Sequence, residues 1–177
     1  MTVDSERHAV NRLISLERDE AMNGAEDCRA YVEHLQHEHG RLNQLLLEIG
    51  HEVAALGQVG QPEDSIAHFA QRLTDLRQQL QAHFAEEEAG GCLEEAVARC
   101  PSLSEDSKTI VAEHPLLDRM LEQLLAQTRN RAVSPADVQR DYRAFGDKLH
   151  AHEAAENRLL QMAFGAEATD YDVEGDD

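Results

Sequence analysis

Between Ile66 and Leu80 the large apolar residues fall at Ile66, Phe69, Leu73, Leu76 and Leu80, and the same rhythm runs on through His83 and Glu87. Steps of three and four mark one face of an α-helix. The seam that this helix must bury therefore ends in an imidazole and a carboxylate. An ionised carboxylate turned into a core costs several kcal/mol unless something positive meets it. That demand constrains the fold more than any other feature of the chain. Neighbouring helices have to bring a cation, or further ligands for one, to the same level, and a metal ion is the expected partner.

Three other segments answer it. Residues 26–56 carry the seam Leu35, His39, Leu42, Leu46, Ile49, Val53 and Leu56. A third main helix has Ile110, His114, Leu117, Leu121 and Leu124, and a fourth has Val138, Tyr142, Phe145, Leu149, His152, Glu156 and Leu159. Turn signals separate them: a glycine-rich stretch at 57–62, Gly90 and Gly91, and residues 130–134. Ser134 and Pro135 open the last helix as a cap and an N1 proline. Residues 92–104, with Leu93, Val97 and Pro101, read as a connecting half-helix and loop. Pro115 lies inside the third helix, where it predicts a kink, since Ile110 already keeps the seam phase. No segment alternates as a strand would. The expected fold is all-α, an up-down-up-down four-helix bundle over residues 25–164. It is preceded by a helical extension at 1–24 and followed by an acidic tail at 165–177, expected to be disordered.

The four seam histidines fall one per helix. From His39 to the turn at Gly57 is about 27 Å, and from residue 63 to His83 about 30 Å, at the helical rise. His114 and His152 stand equally far from the second turn. Six ligand-type residues, His39, His83, Glu87, His114, His152 and Glu156, therefore converge at one end of the core. His34, His37, His51, His68 and His150 are out of phase and belong on solvated faces. Glu86 and Glu88 flank Glu87 but point elsewhere. Asp118, one turn after His114, reads as a surface carboxylate, with an outer partner of an imidazole as the alternative.

A formal charge of −19 repels phosphate backbones and anionic membrane surfaces, so nucleic acid and membranes are not expected partners. Three cysteines with no CxxC pair suit a reducing compartment. The N-terminal MTVDSERHAV has no basic region leading into an apolar run, and no apolar stretch nears the ~20 residues of a membrane span. A soluble cytoplasmic protein is expected.

Four imidazoles and two carboxylates exceed the needs of one tetrahedral zinc and suit a pair of iron or manganese ions. The arrangement is also duplicated. A lone histidine after glutamate (Glu38-His39, Glu113-His114) is followed in each half by HxxxE (His83/Glu87, His152/Glu156). This pattern resembles the hemerythrin HHE cation-binding domain over residues 30–164, as two hairpin repeats at about 30–89 and 105–164. The resemblance implies a non-haem di-iron centre, two iron ions under an oxo or hydroxo bridge. Its terminal ligands would be His39, His83, His114 and His152, with Glu87 and Glu156 bridging.

The chain departs from the oxygen carriers of that family at two places. Asp118 stands where their third helix has a second histidine, and Glu156 falls at the fourth step where they have HxxxxD. The expected function is therefore to bind or sense oxygen, nitric oxide or peroxide. The alternatives are a di-iron redox enzyme, consuming peroxide or nitric oxide or repairing iron centres, and an iron-handling protein without gas chemistry.

Overall fold

The computed structural model describes residues 30, 32–57, 65–89, 92–130 and 133–168. The expected leading helix and residues 169–177 of the tail lie outside them. Four long helices dominate: α1 over residues 32–55, α2 Ser65–Glu88, α4 Ser104–Arg129 and α5 Pro135–Ala168. A short helix, α3 (Cys92–Arg99), and a 3-10 turn, Pro101–Leu103, join the two hairpins. No strand occurs among the described residues. None of the described helices is long and apolar enough to cross a membrane.

The seams are buried as their phase requires, with two exceptions, Leu56, which is only partly buried, and Ile66. Ile66 is 52 % exposed, so the α2 seam begins at Phe69. A repeat averaging 3.5 residues drifts around a helix of 3.6 residues per turn, and by the first turn of α2 it has left the inward face. At the other end of the chain, α5 runs to Ala168, four residues past the expected boundary at Phe164. At its start the expected cap is in place, since the Asp137 amide donates to Ser134 Oγ at 3.2 Å.

The core is in two parts. The larger packs Leu42, Leu46, Ile49, Val53, Phe69, Leu73, Leu76, Leu80, Leu121 and Phe145 with their neighbours. Each such side chain contributes roughly 1.5–3 kcal/mol on burial. The Tyr142 hydroxyl donates to the Leu46 carbonyl at 2.5 Å and Gln139 to the Val53 carbonyl at 3.1 Å, tying α5 to α1. Gly57 follows α1 with φ +83°, and a Cβ there would meet the Pro135 ring at 2.9 Å. Both conditions call for glycine where the two hairpins touch.

The smaller part packs Leu35, Leu93, Ala96, Leu103, Ile110, Leu159 and Leu160. Leu93 and Ala96 come from α3, so the connecting half-helix closes one end of the bundle. Along α1, α4 and α5, the residues on one side of His39, His114 and His152/Glu156 join the larger cluster and those on the other side join the smaller. The polar layer therefore lies between two apolar clusters. Pro115 sits within an α4 that is continuous through it, so the helix does not begin there. Pro115 has no amide N–H to serve the Val111 carbonyl.

Candidate metal centre

Each ligand-type residue is carried inward by the apolar neighbours a turn away. Leu35 and Leu42 fix the direction of His39, Ile110 and Leu117 that of His114, and Leu149 and Leu159 that of His152 and Glu156. Leu76 and Leu80 do the same for His83 and Glu87. All six are at most 5 % exposed, and the five out-of-phase histidines at 34, 37, 51, 68 and 150 are exposed.

The six meet in two overlapping groups. His39, His83, Glu87 and Glu156 form one and Glu87, His114 and His152 the other, with ligand atoms within 4.8 Å of one another in each. Glu87 belongs to both. Its Oε1 lies 2.8 Å from His83 Nε2 and its Oε2 3.1 Å from His114 Nε2. Glu156 Oε2 approaches His39 Nε2 at 3.2 Å, and the Nε2 atoms of His39 and His83 are 3.2 Å apart.

Close approach is not satisfaction here. Both oxygens of Glu87, both of Glu156, and Nε2 of His114 and His152 are buried without a hydrogen-bond partner. Lone pairs that converge without hydrogen-bond geometry, in a site of imidazole and carboxylate, fit a divalent first-row metal. Leaving so many buried polar atoms unpaired would otherwise cost about 1–3 kcal/mol each.

The electrostatics follow from crowding. Burial and the Glu87 charge push the Glu156 carboxyl up, against the pull of His39. Burial would raise Glu87 too, but the His114 and His83 imidazoles beside it hold it far below the usual range. His83 and His114 are raised because neighbouring carboxylates outweigh their burial. His152 is lowered, chiefly by burial and also by His114.

Behind the imidazoles stands an outer ring of carboxylates. Glu88 Oε1 is 2.8 Å from His114 Nδ1, Glu113 Oε2 is 3.3 Å from His152 Nδ1, and Glu38 Oε2 is 3.5 Å from His83 Nδ1. A carboxylate that accepts Nδ1–H leaves the Nε2 lone pair facing inward, the tautomer a metal needs. Lys148 Nζ holds the other oxygen of Glu113. Phe84 stacks on His114 with ring centroids 4.0 Å apart and 3° between planes.

Some of this does not follow from helical phase. Glu88 was expected to point away from the site, and half of its side chain is in solvent, yet its carboxylate turns back to His114. Glu153 is a further buried acid, 6 % exposed, that accepts a hydrogen bond from Asn43 Nδ2 at 2.8 Å. Glu38 and Glu113 could have been found, since each immediately precedes a seam histidine. Asp118 does not join the site. Arg77 grips it with two 2.8 Å bonds and Gln81 with a third of 2.7 Å.

A four-helix bundle with a buried layer of histidines and glutamates in its core defines a metal-binding helical domain. The family model of the hemerythrin HHE cation binding domain matches residues 30–164, and the chain belongs to that family. No curated protein and no solved structure matches it.

Proposed function

We propose that His39, His83, Glu87, His114, His152 and Glu156 hold two iron ions, and that the pair binds or senses oxygen, nitric oxide or peroxide. The observation that carries the reading is the sharing of Glu87 by two ligand groups, as a carboxylate between two ions requires. Iron bound there supplies one-electron redox chemistry and coordination positions open to small ligands. The chain does the rest. Glu88 and Glu113 orient two of the imidazoles, and apolar side chains bound the layer on both sides. A dry surround of this kind tunes the potential of a metal and limits what reaches it. Asp118, at the position of the oxygen carriers' additional histidine, is held by Arg77 and Gln81. Its engagement there favours a centre that oxidises readily over one that holds oxygen reversibly.

The test is to load the full chain anaerobically with ferrous iron, remove the excess, and expose it to oxygen. The reading expects two irons per chain and prompt oxidation. A long-lived oxygenated species discharged by argon would restore the carrier function. Repeated turnover with an added reductant would make the protein a redox enzyme.

A further inference from the structure

The two HxxxE hairpins repeat the same outer carboxylate but not its counter-charge. In the second, Lys148 stands four residues before His152 and pairs with Glu113, whose second oxygen faces His152 Nδ1. In the first, Glu38 faces His83 Nδ1 in the same way, but the residue four before His83 is Gln79. No lysine is available there. Instead a cavity opens between α1 and α2, lined by Glu38, Arg41, Leu42, Gln79, Ala82 and Glu86.

Two further ligand-type residues stand at its rim. His34 Nε2 lies 3.3 Å from Glu86 Oε2, and ligand atoms of His34, Glu38 and Glu86 come within 4.8 Å of one another. The corresponding positions of the second hairpin are Thr109, five before His114, and Ala155, three after His152. Neither offers a metal ligand of comparable strength. Where the second half has a lysine, the first half thus has a histidine, an added glutamate and space.

The charges agree with this. Glu113 and Lys148 cancel. Glu38 and Glu86 carry two negative charges against Arg41, which among the described residues reaches Glu38 Oε1, at 3.7 Å, with 60 % of its side chain in solvent. His83 Nδ1 points at the cluster's inner carboxylate, and it is buried with no hydrogen-bond partner.

We propose that His34, Glu38 and Glu86 form a third metal site, which takes a divalent first-row transition ion from solution in place of the lysine found in the other half. One imidazole and two carboxylates at a partly open rim leave room for water ligands, as Mn²⁺ or Fe²⁺ prefers. Through Glu38 this ion would touch the ring of His83. The site lies outside the six-residue layer and stands whether that layer holds two ions or one.

The experiment titrates Mn²⁺ into the full chain with its core metal already bound, following free Mn²⁺ by electron paramagnetic resonance. Three variants accompany it: His34→Ala, Glu86→Gln and Gln79→Lys. The last restores the lysine of the second half without removing a ligand. The expected result is one saturable Mn²⁺ beyond the core metals, weakened at least tenfold in each variant, with core metal content unchanged. Equal Mn²⁺ binding by the wild type and all three variants would overturn the proposal. So would the absence of saturable binding in the wild type.

Discussion

The two hairpins carry the same buried histidines and glutamate in the same order, but their surroundings differ. His114 has the carboxylate of Glu88 on its Nδ1 and Phe84 stacked on its face. His39, its counterpart, has no hydrogen-bond partner on Nδ1, and Asn157 stands where Glu88 would. Phe84 itself, next to His83, answers to Glu153, next to His152. An aromatic ring in one half is thus matched by a buried carboxylate in the other. One turn after the lone histidine comes Asp118, tied to Arg77, in one half and Asn43, tied to Glu153, in the other. The lesson is that the buried histidine and glutamate positions repeat between the two hairpins, while the residues behind them diverge. The two halves offer unlike environments to two like ligand sets.

The largest expected effect falls on the residue the halves share. Glu87→Ala should strip both metals, whereas Glu156→Ala, grouped only with His39, His83 and Glu87, should deplete the first-half metal more than the second. Metal content per chain checks both, and equal depletion by the two variants would remove the asymmetry between the carboxylates. Next in size is a test of phase. His152→Ala should lose metal and His150→Ala, exposed two residues away, should keep it.

A smaller effect is expected from Lys148→Gln, which gives the second half the glutamine that the first has at Gln79. Lys148 and Glu113 are both partly exposed, so the loss should be about 1 kcal/mol of stability by chemical denaturation. Asp118→Asn is expected to cost about as much, but only over part of the pH range. Arg77 chiefly, and Gln81, hold the Asp118 carboxyl below its usual value against partial burial. Its contribution is therefore complete above the unfolded pKa near ~3.9 and is lost as pH falls through the lower folded value. Wild type and variant should converge in acid. A gap that persists there would show that the aspartate acts by something other than its charge.

The burial and convergence of the six histidine and glutamate residues were legible in the sequence because all six keep the phase of their apolar seams. His150 and His152 show how sharply phase discriminates, since one is exposed and the other fully buried. The outer partners were less legible for a physical reason. Glu88 is off the seam, and only a long flexible side chain brings its charge back to His114. Glu153 is out of phase on a narrow seam, but α5 is covered by α3 and α4 and tied to α1. Its buried stripe is consequently wide enough to include the adjacent pairs His152/Glu153 and Leu159/Leu160. The closing role of α3 was out of reach for a different reason. Eight residues carry too little periodicity to say which end of a bundle they cover.

In the proposed centre one buried carboxylate, Glu87, joins two metal ions into a pair. Spin-quantified electron paramagnetic resonance of the iron-loaded, oxidised full chain, referenced to iron per chain, tests it most directly. Two ferric ions that shared Glu87 under an oxo or hydroxo bridge would couple strongly, giving two irons per chain and almost no signal. An isolated ferric signal accounting for all the iron would show that Glu87 joins no pair.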